Sequence, residues 1–149
     1  MSLPERQGGA GPTDEDRLEL KITSDPANLR DVRTRIENFT DHAGWPRDIS
    51  DAVGLVVNEA LANVIRHGYG GAKDRPIMVT AEALPGELRI FIRDWAKPFD
   101  PAAVKERCLG ELRPGGLGLL CMHKLMDDVQ FERLPDGMLL KLIKKAPAA

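Results

Sequence analysis

The sequence predicts an α+β two-layer sandwich, with a mixed, mostly antiparallel sheet covered on one face by helices. Three observations carry that reading. Apolar residues recur at helical spacing over two early segments. The period then drops to two over paired strands, each pair joined by a turn signal. The 149 residues suffice for one domain with a proper core.

In chain order, Met1 to Asp16 is rich in glycine, proline and charge around Gly8-Gly-Ala-Gly-Pro12, and reads as a disordered leader. Leu18-Glu-Leu-Lys-Ile22 alternates apolar and polar, the mark of an edge or half-buried strand. Ser24-Asp-Pro-Ala-Asn28 is a helix start: Asp25 can cap and Pro26 suits the first turn. Leu29, Val32, Ile36 and Phe39 then line the buried face of a helix running to about His42, and Gly44-Trp-Pro46 closes it.

The central helix follows, with Asp48 or Ser50 as its expected cap and with Gly68 and Gly70-Gly71 ending it. Pro76 to Leu84 and Leu88 to Asp94 read as two strands joined in a hairpin at Pro85-Gly-Glu87. Trp95 to Gly116 is a long, proline-broken connection with a short helical stretch near Ala102–Cys108; connections of that length in a small domain are usually functional. Gly116-Leu-Gly118 opens a helix to about Asp127. Val129–Arg133 and Met138–Ile143 form a closing hairpin around Leu134-Pro-Asp-Gly137. The domain is therefore expected over residues 17–145, with a short tail at 146–149.

Composition excludes several function classes. Hydrophobic residues at 42% and charged residues at 30% are those of an ordinary globular domain. A net charge of −2 without a Lys/Arg block gives no footprint for nucleic acid or a membrane surface. Aromatic residues, at 5%, leave few platforms for stacking single strands. Cys108 and Cys121 lack metal-ligand spacing and read as free thiols in a reducing cytosol. The N-terminus has no signal-peptide pattern and nowhere are there eighteen consecutive apolar residues, so secretion and membrane spanning are disfavoured.

Three features bear on chemistry. On the central helix, Val53, Val56, Val57, Ala60, Leu61, Val64 and Ile65 make the core stripe, and Glu59 and Asn63 sit beside it at i, i+4. A carboxylate and an amide one turn apart can offer a base and a metal ligand to one bound molecule; by themselves they also read as two solvated residues on an amphipathic face. Asp94, at a strand end, can accept a hydrogen bond from an exocyclic amine, or simply cap a turn. Pro114-Gly-Gly-Leu-Gly-Leu119 enters a helix, where backbone N–H groups approach a phosphate and the helix dipole favours its charge. No Gly-Lys-Ser/Thr follows, so it is not a Walker loop, and no parallel strand–turn–helix unit surrounds it, so it is not the dinucleotide fingerprint. What lifts all three is their order.

That order resembles the GHKL (Bergerat-fold) ATP-binding domains, and among them the anti-sigma-factor serine/threonine kinases of the RsbW type. Asn58-Glu-Ala-Leu-Ala-Asn-Val-Ile-Arg-His-Gly-Tyr69 is similar to their N box. Arg93-Asp-Trp-Ala-Lys-Pro-Phe-Asp-Pro101 is similar to their first glycine box. Gly115-Gly-Leu-Gly-Leu-Leu120 with Met126-Asp-Asp-Val129 resembles the second. The resemblance spans roughly Leu18 to Lys145.

It implies ATP and Mg²⁺ as ligands, with Asn63 binding the metal and Glu59 activating the substrate hydroxyl. Asp94 would read adenine, and Arg66, His67, Ala96, Lys97, Gly115, Gly116, Leu117 and Gly118 would lie at the nucleotide. Residues about 97–115 would form a lid. For Arg66, His67 and Arg113 a solvated or helix-terminal position is the more common outcome, Lys97 is undecided, and His42 and His123 read as structural or surface residues. The chain departs from the family pattern twice: Ala96 stands for a glycine beside the purine, and Met138 for a threonine after the last Asp-Gly turn.

The implied function is an ATP-dependent protein serine/threonine kinase that phosphorylates a small antagonist protein and sequesters a sigma factor, as a cytosolic homodimer. A non-catalytic module of the same fold, holding its partner without phosphotransfer, is the alternative. An α/β domain whose acids and glycines are only structural is the third.

Overall fold

The computed structural model describes residues 16–98 and 122–147. The expected leader up to residue 15, most of the lid, the stretch near 102–108, and Arg113, Gly115, Gly116, Leu117 and Gly118 lie outside the described residues, as do Cys108 and Cys121.

The period-two segments form a sheet of five strands: β1 (Arg17–Thr23), β2 (Pro76–Leu84), β3 (Glu87–Asp94), β4 (Asp128–Leu134) and β5 (Gly137–Lys145). Their order is β1-β2-β3-β5-β4 and each neighbouring pair is antiparallel. Pairing aligns Leu20 with Val79, Val79 with Ile92, and Ile92 with Leu140. One apolar row thus crosses the sheet, and it is buried. The opposite face is polar enough to meet water: Arg17 pairs with Glu82 at 2.6 Å across β1 and β2, and Lys141 with Glu132 at 3.1 Å across β5 and β4. The hairpin turn between β2 and β3 closes at Gly86, whose φ of +70° suits glycine.

Among the described residues two long helices cover the apolar face, α1 (Leu29–His42) and α2 (Arg47–Asn63), and Met122, from the helical residues 122–125, joins the same core cluster. A single 3₁₀ turn at Pro26–Asn28 leads into α1, capped by the Asp25 carboxylate accepting from the Ala27 N–H at 2.9 Å. Val32 and Ile36 on α1 and Val53, Val56, Val57, Ala60 and Leu61 on α2 are buried in the same cluster as the sheet residues.

The start of α2 differs from the expected Asp48 or Ser50 cap. Pro46 occupies the cap position and no side-chain cap bond forms there. Ser50 instead donates to the Asp41 carboxylate of α1 at 2.5 Å, and Arg47 reaches the same carboxylate at 2.6 Å. The Ser50 hydrogen bond chiefly, with Arg47 beside it, holds the Asp41 carboxyl below its ordinary value. Helix–helix contact has taken the hydroxyl that local capping would have used.

Gly54 shows why a helix-weakening residue sits in mid-α2. A Cβ there would meet the Glu37 Oε2 of α1 at 2.5 Å and its Cγ at 2.6 Å. Glu37 is held in this seam by Arg33 at 3.1 Å. Gly54→Ala is therefore expected to lower stability by about 1 kcal/mol, since overpacking outweighs the helix-propensity gain. In a Glu37→Ala background the same change should stabilise by roughly 0.5–1 kcal/mol. Thermal denaturation of the four variants of this cycle reads the sign reversal; a stabilised single Gly54→Ala variant would remove the packing explanation.

Candidate functional site

The last turns of α2 carry Glu59 and Asn63, both half-buried beside the apolar stripe. The side-chain Oδ1 and Nδ2 of Asn63 are both buried and neither has a hydrogen-bond partner among the described residues. A buried primary amide left unsatisfied costs on the order of 1–3 kcal/mol, so such groups call for an explanation. Among the described residues no three His, Cys, Asp or Glu side chains cluster as a metal cage. A divalent ion here would take a single amide oxygen from the helix and draw its other ligands from phosphate and water, which is the habit of Mg²⁺. The Asn63 carboxamide fits that role.

The central segment was expected to be one helix through Tyr69. The structure breaks the α pattern after Asn63, where Val64–Gly68 form a π-helical turn. The Tyr69 N–H reaches back to the Val64 carbonyl at 2.8 Å, five residues earlier. Wide turns of this kind are rare and concentrate at functional sites. Arg66 and His67 are exposed on this turn.

Asp94 ends β3 and is 5% exposed, opposite Met138 in the β3–β5 register. Burial pushes its carboxyl above the usual carboxylate range, while hydrogen bonds from the backbone N–H of Ala96 and of Met138 act against that rise. The Ala96 N–H donates to Asp94 Oδ1 at 2.9 Å, so the chain folds back on the acid and aims it. Gly137 is demanded by contact: a Cβ there would land on the Asp94 carbonyl oxygen.

Ala96 has a negative φ, like every described non-glycine residue, and is buried. Its methyl lies against the end of the central helix, where a Cβ on Gly68 would be 3.1 Å from it. Met138 is buried and puts a thioether where a hydroxyl would have offered a donor. Lys97 is exposed.

Two residues that the sequence reading did not single out hold this end of the site. The Arg93 guanidinium lies 4.4 Å from the centre of the Trp95 ring, donates to the Asp94 carbonyl and pairs with Asp136 at 2.6 Å. Tyr69 Oη donates to the Pro76 carbonyl at 2.6 Å and accepts from the Trp95 N–H at 2.8 Å. Burial pushes the Tyr69 phenol up, so it stays protonated as a donor. The available signals were the position of Tyr69 straight after a His-Gly pair and that of Arg93 at the head of the segment similar to the first glycine box.

An antiparallel sheet under two helices, with the helix end and the strand end brought together by Gly68 and Ala96, is of the GHKL (Bergerat) class. The chain belongs to the histidine kinase-like ATPase domain family, whose model matches residues 22–144. It is similar to the serine-protein kinase RsbW of Bacillus velezensis, 27% identical over 129 residues and covering 80% of each chain. The serine-protein kinase RsbW of Bacillus subtilis is 25% identical over 126 residues, 78% of each chain.

Among solved structures, the RsbU and RsbW domains of a Mycobacterium tuberculosis protein superpose with a TM-score of 0.65 at 17% identity, over 89% of this chain and 33% of that one. A chain from the SiaB–SiaC complex of Pseudomonas aeruginosa gives 0.60 at 15% identity, over 85% and 88%. At these identities the structural likeness speaks for the fold. Among the described residues no helix is long and apolar enough to cross a membrane.

Proposed function

We propose that this chain is an ATP·Mg²⁺-dependent protein serine kinase that phosphorylates a small antagonist protein and also sequesters a sigma factor. It would act in the cytoplasm as a homodimer. The observation that carries the reading is Asn63, whose buried amide lacks a partner among the described residues, on the helix face where the family places its metal ligand. The relatives named serine-protein kinase support the reaction class.

In this reading Asp94 accepts a hydrogen bond from the exocyclic amine of adenine, its carboxylate held in aim by the Ala96 N–H. Asn63 offers Oδ1 to the metal, which when bound neutralises charge on the phosphates. Arg66 and Lys97 supply positive charge near the phosphates, His67 lies beside them, and the backbone N–H groups of Gly115, Gly116, Leu117 and Gly118 cradle them. Glu59 accepts the proton of the incoming serine hydroxyl as its oxygen bonds to the γ-phosphorus and the bond to the ADP oxygen breaks. Phosphoryl transfer asks for little more than this positioning and charge neutralisation.

Met138 favours the second reading, a module that holds its partner without phosphotransfer, because it removes an adenine-side donor. Calorimetric titration separates the two. The kinase reading expects ATP to bind with Mg²⁺, and Asn63→Ala to lose the Mg²⁺-dependent part of that affinity while keeping its fold. It also expects labelled phosphate to pass from ATP to a serine of the cognate antagonist. No binding at millimolar ATP would sink it.

A further inference from the structure

The polar contacts of Tyr69 join three elements at one residue. Its hydroxyl bridges the first residue of β2, through the Pro76 carbonyl, and the residue after β3, through the Trp95 N–H. Its own N–H closes the π turn that begins one residue past Asn63. Ile77, next to Pro76, pairs with Asp94 across the β2–β3 ladder. The phenol therefore sits at the joint between the helix end that carries Asn63 and the strand end that carries Asp94. Packing of Gly68 on Ala96 closes the same joint from the other side.

We propose that Tyr69 is a positioning residue that sets the adenine-reading segment Asp94–Ala96 at a fixed distance from the phosphate-binding end of α2. Its effect passes through the backbone. Trp95 N–H is held by the phenol, and the next N–H, that of Ala96, is the one that aims the Asp94 carboxylate. Freeing the first loosens the second. The phosphate end does not depend on this link, because Asn63 and Glu59 lie on α2 before the wide turn and the turn that carries Arg66 and His67 is closed by the Tyr69 N–H, not by its hydroxyl.

The inference rests on the reading of Asp94 as the adenine acceptor, and its test keeps the two apart. Tyr69→Phe keeps the ring that packs against the core and removes only the hydroxyl. Three quantities are measured on the full chain: affinity for ATP·Mg²⁺, affinity for tripolyphosphate·Mg²⁺, and hydrogen exchange of the Trp95 amide. The expected result is an ATP affinity lower by about three- to tenfold, as for the loss of one or two modest hydrogen bonds. Tripolyphosphate affinity stays unchanged, the preference for ATP over GTP narrows, and Trp95 amide exchange quickens.

If wild type and Tyr69→Phe bind ATP alike, the positioning role is wrong and the nucleotide reading stands. If ATP and tripolyphosphate weaken equally, the residue is a general structural support and the role is likewise overturned. If the wild-type chain binds neither ATP nor tripolyphosphate, the nucleotide reading itself fails and takes this inference with it.

Discussion

Glu59→Gln is expected to lower phosphoryl transfer to a cognate antagonist by roughly 10²–10⁴-fold, the usual contribution of a positioned general base. The side chain keeps its size and half-buried place on α2, so affinity for ATP·Mg²⁺ should stay within about twofold; the charge it loses is not asked to bind phosphate. The split identifies the role. A variant with weakened ATP binding and unchanged single-turnover rate would make Glu59 a binding residue. A variant with neither change would remove it from the site. The second outcome has a physical basis, since a dissociative transition state leaves the serine proton in place until late and demands little of a base.

Asp94→Asn is expected to act on ATP recognition and on stability in opposite directions. Replacing a charged acceptor by an amide should weaken ATP binding by about 10- to 100-fold, the range for a hydrogen bond to an ionised group, and leave tripolyphosphate affinity alone. Stability follows from the raised carboxyl. A group whose folded value lies above its unfolded one, near 3.9 for aspartate, contributes stability below that unfolded value and loses it as pH rises through the folded one. Wild type therefore carries a burial penalty at neutral pH that asparagine does not. The ligand-free variant should melt higher than wild type at pH 7, and the gap should close as pH falls below about 4. Differential scanning calorimetry across that range reads it; a gap that widens in acid would mean that the hydrogen bonds from Ala96 and Met138, not burial, dominate at Asp94.

How much of this was legible beforehand depends on whether the deciding interaction is local. The β2–β3 hairpin announces itself because alternation and the Pro-Gly break are properties of adjacent residues. Glu59 and Asn63 are legible for the same reason, since i, i+4 spacing puts them on one side of any helix. The cap of α2 was not legible: Ser50 is engaged by Asp41, a residue of another helix. Neither was the wide turn after Asn63, because a π turn trades ideal helix bonds for contacts made elsewhere.

Ala96 illustrates the limit at the site. In the fold its methyl packs on Gly68, a residue whose own lack of a side chain makes the room. Gly137 reads as an ordinary turn glycine, yet the reason for it is the Asp94 carbonyl pressed against it from a strand far away in sequence. Both depend on pairs separated by a whole element, and no window of the chain contains either pair.

The turn at Val64–Gly68 also determines which kinds of sequence change the molecule can absorb. Each residue of a helix advances the chain by about 100° around its axis. Removing one residue between Asn63 and Tyr69 would let the turn close as ordinary helix, with a hydrogen bond spanning four residues in place of the one that spans five. Swaps at exposed Arg66 and His67 leave that count intact. The number of residues in this segment thus sets the width of the turn, while Arg66 and His67 within it keep the part assigned to them at the phosphates.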